Sequence, residues 1–305
     1  MSSEQELREL AAQLQSSGGV PGSEPLRQFL KLCREVRAPN SELVARYGVM
    51  LLQHHRKALA EDELWLVHEQ VATAALECGA CPLAAQLIRA VLQRFPEDSV
   101  RAKRLQGMFY EAQGKVPRAE EFYHGIIEQQ PTNQMIAKRL VAAARTKGDL
   151  PAAVEYLRTY LDHWMNDRDA WEELAELYLE MGLYRQAAFC LEEVLTLAPS
   201  EPNVAVRYAD ALLTLGGAAN ARTARAYYSR AVTLTQGRSA RALYGLVACA
   251  AQLQGQQGGS SDAGSNPEAQ ELPGAAAAAL VALYRERAPG KVPLVEALLK
   301  RQGLV

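Results

Sequence analysis

An all-α solenoid of helix-turn-helix repeats is the fold class this sequence predicts, on three observations. Gly114 with Ala119, Gly148 with Ala153 and Gly182 with Ala187 recur at steps of 34 residues, the period of the tetratricopeptide (TPR) helical hairpin. Around the last pair stands nearly the whole pattern of that repeat: Trp171, Leu174, Ala175, Tyr178, Ala187, Leu191, Val194 and Pro199. Helix formers dominate elsewhere, and β-branched residues never alternate over a strand-length run. Because such an array grows by stacking, its 305 residues do not by themselves imply two domains.

Taken in order, residues 1–23 read as a short helix followed by a Gly/Ser/Pro break, expected to be mobile. Glu24 to Val36 and Ser41 to Leu59 carry helical apolar spacing, for example Leu26, Phe29, Leu30 and Cys33, with Asn40-Ser41 as an N-cap for the second stretch. These open a solenoid expected over 24–253. Within it each first helix ends near a glycine suited to the left-handed C′ position, Gly79, Gly114, Gly148 or Gly182. Pro82, Pro117 and Pro151 then start second helices, where a missing N–H costs nothing. Inside those helices a small residue, Ala84, Ala119, Ala153 or Ala187, lets the paired helices approach closely. Pro96, Pro131 and Pro199 end second helices. Met165 stands where the middle repeat lacks its proline, and Asn166 and Asp167 supply turn chemistry there.

Beyond Pro199 the pattern drifts. Tyr208, Ala209 and Leu212 form one helix, Gly216-Gly217 ends it, and Ala224, Tyr228 and Ala231 resume the second-helix face. A further helix is expected over Arg241 to Leu253. Residues 254–274, rich in Gly, Ser and Gln, read as a disordered loop, and 275–305 as two closing helices that cap the array.

The formal charge of −2 gives no field that would draw the chain to phosphate backbones, so nucleic acid is not an expected partner. The N-terminus has no apolar core of a secretory signal. No stretch reaches the roughly 20 apolar residues that span a bilayer, and a membrane location is expected only through partners. The five cysteines, odd in number and mostly among apolar neighbours, fit a reducing compartment.

Catalytic signals are weak. Cys78-Gly-Ala-Cys81 lacks both the strand-to-helix context of a redox pair and the second pair of a zinc site; packing across a turn is the expected role. His68-Glu69-Gln70-Val71-Ala72 begins like a zinc-protease helix but has Ala72 where the second ligand belongs. Phosphate-loop, nucleophile-elbow and kinase patterns do not occur. No cofactor and no metal are expected. The charges of the first helices offer more. Arg101, Arg104 and Met108, then Lys138, Arg139 and Arg145, then Glu172, Glu173 and Glu176 map to groove-facing positions, so a groove running from basic to acidic is expected to bind a partner of complementary charge order. Met108 and Ala142 stand where a chaperone-tail clamp would want asparagine-type donors, which disfavours that use.

The segments NSELVARYG (Asn40 to Gly48), DELWLVHEQVATAALECG (Asp62 to Gly79), RAKRLQGM (Arg101 to Met108), QQPTN (Gln129 to Asn133) and AWEELAELY with AAFCLEEVL (Ala170 to Leu195) together resemble the family of subunit 2 of the endoplasmic reticulum membrane protein complex. The Gly216-Gly217 insertion and the ARALYGL helix resemble it too. That resemblance implies a non-catalytic scaffold on the cytosolic face of the endoplasmic reticulum, part of a machine that inserts tail-anchored and other transmembrane segments. It also implies partners: subunit 8 or 9, subunits 3 and 5, and subunit 1 as a further candidate. Two other readings stay open, a TPR adaptor of a chaperone or ubiquitin pathway and a thiol or zinc enzyme at Cys78 and Cys81.

Overall fold

The computed structural model describes residues 3–16, 19–96, 98–256 and 267–304. All regular structure among them is helical: α1 (Ser3–Ser16), α2 (Ser23–Val36), α3 (Ser41–His54), α4 (Glu61–Glu77), α5 (Cys81–Arg94), α6 (Val100–Ala112), α7 (Val116–Ile127), α8 (Gln134–Thr146), α9 (Leu150–His163), α10 (Arg168–Glu180), α11 (Tyr184–Leu197), α12 (Pro202–Leu215), α13 (Ala218–Leu234), α14 (Ala240–Gln256), α15 (Pro267–Arg287) and α16 (Val292–Arg301), with two 3-10 turns. The chain divides into two compact units, 1–156 and 157–305.

The hairpin turns form as the glycine spacing predicts. At Gly182, φ is +71°; its N–H donates to the Leu179 carbonyl at 3.1 Å and the next N–H, of Leu183, donates to the Tyr178 carbonyl at 2.8 Å. That double bond satisfies the orphan carbonyls of α10 and needs a left-handed residue at its centre. Gly79, Gly114 and Gly148 adopt the same φ within a few degrees. Ala84, Ala119, Ala153 and Ala187 are fully buried, as a close helix pair requires.

Helix starts follow a second period. The side chains of Ser99, Asn133 and Asp167 accept from Ala102 N, Ile136 N and Ala170 N at 3.2, 3.3 and 3.2 Å, so α6, α8 and α10 each begin on a capped turn. Asp167 therefore does replace the missing proline beside Met165. Trp171 Nε1 also donates to the Met165 carbonyl at 2.8 Å, tying that link to the next helix.

Four expectations need correction. Helix α1 does not stand apart: Leu7 and Leu14 are buried in the core formed by Leu26, Phe29, Leu30 and Tyr47, because its apolar stripe finds a face on α2. Asn40 occupies the N-cap of α3 without a side-chain cap bond. That helix ends at His54, and the stretch to Leu59 continues as a 3-10 turn over Arg56–Ala58. Helix α15 starts at Pro267 rather than Ala275; Pro273 lies inside it, on the buried stripe shared with Ala276, Ala277 and Leu280, so burial offsets the lost backbone bond. Of the loop expected over 254–274, residues 257–266 lie outside the described residues.

Candidate functional site

In the unit 1–156, the charges expected to line a groove are drawn into pairs between alternate helices. Glu69, on α4 and 7% exposed, accepts from Arg104 Nη2 of α6 at 2.8 Å and pairs with Arg101 of the same helix. One step on, Glu111 of α6 pairs with Arg139 of α8 at 2.7 Å. Burial holds both carboxyls above the ordinary carboxylate range, against the pull of the arginines. Arg27 of α2 grips Glu63 of α4 through two nitrogens at 2.9 and 2.8 Å. Lys138 and Arg145 stand exposed on α8. Met108 is not on the groove: it is 7% exposed and packs with Leu105, Ile88 and Val91. Its side chain points into the hairpin because its register on α6 falls with the apolar stripe.

A groove of about 730 Å³ does run along this face, lined by Arg34, Glu69, Gln70, Glu77, Arg104 and Met135 among others. Its floor is a network: Arg34 bonds Gln70, and Gln70 Nε2 donates to the Leu30 carbonyl at 3.0 Å. His68 lies behind it, buried, with Nδ1 against the Leu64 carbonyl at 2.8 Å and its ring 5.1 Å from that of Trp65. Such a histidine packs a helix pair and offers no free nitrogen pair to a ligand.

In the unit 157–305 the same logic runs with signs exchanged. Glu172 and Glu176 of α10 pair with Arg207 of α12 at 3.7 and 3.3 Å, and Glu172 also takes Arg168 at 2.7 Å. Glu173 is half-buried beside them. Asp210 of α12 then pairs with Arg241 of α14 at 2.5 Å while Tyr228 donates to its other oxygen. The expected basic-to-acidic field is thus largely neutralised within the fold, since each paired charge meets its opposite on the next alternate helix.

A second concavity lies between the C-terminal part of α9, α10 and α11. It measures about 440 Å³ and is lined by Leu161, Met165, Trp171, Leu174, Tyr178 and Phe189, with Arg158, Asp162, Arg185 and Gln186 at its mouth. Trp171 and Phe189 meet edge to face with centroids 6.1 Å apart. No residue of this cavity stood among the expected groove positions, because the second-helix face was read only for its alanines.

Cys78 is exposed and Cys81 half-buried, on either side of the α4–α5 turn. Burial pushes the Cys33 and Cys249 thiols up to about 11 and Cys190 to about 12, which leaves them inert as nucleophiles. Among the described residues no group of three or more His, Cys, Asp or Glu is placed to hold a metal ion.

The family model of the EMC2 TPR-like repeat domain matches residues 83–216. ER membrane protein complex subunit 2 of Xenopus tropicalis is 36% identical over 223 residues, 73% of this chain and 74% of that one. The Dictyostelium discoideum protein of the same name is 31% identical over 209 residues, 68% of this chain and 65% of its own. The TPR repeat protein oca3 of Schizosaccharomyces pombe is 33% identical over 195 residues, 63% and 68% of the two chains. Among solved structures, the C-terminal part of a TPR repeat-containing protein from Cytophaga hutchinsonii superposes with a TM-score of 0.60 at 15% identity, over 88% of this chain and 98% of that one; this likeness concerns the fold alone.

Proposed function

The chain belongs to the ER membrane protein complex subunit 2 family, and from that footing we propose that it is a non-enzymatic scaffold subunit of such a complex. It sits on the cytosolic face of the endoplasmic reticulum membrane and holds cytosolic and membrane subunits together, in an assembly that inserts tail-anchored and other transmembrane segments. The carrying observation is the similarity to relatives named as subunit 2, which spans three quarters of the Xenopus chain. The helices of 24–253 present the binding faces and 275–305 closes the array. Subunits 8 or 9, 3 and 5 are the proposed partners, with subunit 1 as a further one.

Among the described residues no helix is long and apolar enough to cross a membrane, so attachment would come from partners. The groove residues Arg101, Arg104, Lys138, Arg139, Arg145, Glu172, Glu173 and Glu176 remain proposed contacts. A partner meeting them would exchange paired charges, which gives specificity more than affinity.

Purification of the tagged chain from detergent-solubilised cells tests this reading. Membrane subunits should follow it, and its depletion should lower insertion of a tail-anchored reporter. Recovery of chaperones or ubiquitin-pathway proteins in place of membrane subunits would overturn it.

A further inference from the structure

In this molecule an arginine near another helix is generally paired: Arg27, Arg94, Arg101, Arg104, Arg139, Arg168, Arg207, Arg241 and Arg285 all reach a carboxylate. Arg158 and Arg185 make no ion pair among the described residues, and both stand exposed at the mouth of the cavity floored by Leu161, Trp171 and Leu174. Asp162 shares the rim as its one acidic residue. The apolar wall is correspondingly open, with Met165 68% and Phe189 56% exposed. Single exposed apolar residues need no explanation, but here they cluster around a concavity whose floor is buried.

The cavity continues past Phe189. A further concavity of about 320 Å³ is lined by Arg185, Phe189, Tyr208, Leu212 and Leu215, with Glu192 and Asn220 at its far edge. Phe189 and Arg185 therefore belong to both hollows, and the pair forms one elongated surface on the second-helix side of α10 and α12. Two apolar sockets in a row, with unpaired arginines beside the first and between the two, match a helix that sends apolar anchors down one stripe and carboxylates along its edge. Burying two unpaired guanidinium groups against an apolar partner would cost several kcal/mol; opposed by carboxylates they would instead orient it.

We propose that this surface docks an acidic amphipathic helix of a partner protein, whose large apolar side chains fill the sockets on either side of Phe189 while its Asp or Glu residues meet Arg158 and Arg185. The proposal reaches beyond the scaffold reading and holds whichever assembly the chain joins.

The probe is a displayed library of short helical peptides, selected on the full chain and again on the Arg158→Glu, Arg185→Glu double variant. Selection on the unaltered chain should enrich Leu, Phe or Trp anchors flanked by Asp and Glu. Phe189→Ala should weaken the winners by about tenfold or more, with thermal melting unchanged because the ring is exposed. The double variant should reverse the flank preference to Lys and Arg. The proposal is overturned by enriched peptides with no charge preference, by winners indifferent to Phe189→Ala, or by no enrichment at all. Self-association lost in Phe189→Ala, or saturable binding of dodecanoate where no peptide is enriched, would assign the surface to another occupant and overturn it as well.

Discussion

Glu69 accepts from Arg104 at 2.8 Å across one repeat step, from α4 to α6, and it is the one buried acidic side chain among the described residues. Arg101 pairs with its second oxygen, so one carboxylate ties two rungs of the next first helix. Removing it leaves two guanidinium groups that can still reach water, which limits the loss. Glu69→Ala should destabilise the chain by about 1–3 kcal/mol in chemical denaturation, and Arg101→Ala by less, since Arg104 remains. Equal midpoints for Glu69→Ala and the unaltered chain would show that packing alone sets this helix spacing.

His68 is held below its usual range, first by burial and further by the charge of Arg56, while its bond to the Leu64 carbonyl pulls the other way. Unfolded, the imidazole takes up a proton near its ordinary value of 6.5; folded, it does so only at lower pH. The native state thus binds fewer protons in that window, and stability present above pH 6.5 is lost as pH falls towards the depressed value. Urea midpoints of the unaltered chain should drop more than those of His68→Gln between about pH 7.5 and about pH 5.5. Parallel curves would mean that the ring already titrates normally in the folded protein.

The hairpin glycines and alanines were legible because each answers to a local constraint, a left-handed φ or a helix contact with no room for a longer side chain. The caps at Ser99, Asn133 and Asp167 were equally legible, since they recur at 34-residue steps just after the turn prolines or at the missing one; only their polar surroundings had been weighed. The charges failed for a different reason. Read helix by helix, Arg101 and Arg104 look like a basic patch, whereas read across one repeat each finds Glu69. Partners on different helices are invisible to a pattern taken along one helix. The cavity at Phe189 was hidden because an exposed aromatic on a second helix carries no periodic signal until its neighbours are placed around it.

Ala187 lies fully buried in α11, in the hairpin with α10 that carries the most complete repeat pattern. Its surroundings include the buried Leu174, Ala175 and Leu191. Ala187→Leu adds methylenes where no space exists and should cost about 1–3 kcal/mol, lowering the melting temperature and, on the scaffold reading, releasing partners at temperatures the unaltered chain tolerates. Normal melting and assembly would place the alanine away from a close contact.

Gly107 and Tyr123 give a sharper test, because two effects oppose each other at one site. Gly107 sits inside α6, where replacing glycine by alanine ordinarily stabilises a helix by roughly 0.5–1 kcal/mol. A Cβ built there would lie 2.3 Å from Tyr123 Cε1 and 2.7 Å from its Cζ. The ring is fully buried in the core with Ile126, Ile136 and Leu140, so it has little freedom to move aside. Overpacking of about 1–3 kcal/mol should therefore outweigh the gain in propensity, and Gly107→Ala should lower the denaturation midpoint. Tyr123→Leu removes the ring atoms that the new methyl group meets, though it costs stability by itself. In the double variant the second change should then be better tolerated than in the parent, giving a favourable coupling energy of at least about 0.5 kcal/mol. Strict additivity would mean that α6 and α7 shift apart to admit the methyl group, and that the close approach is a preference of packing rather than a constraint on it.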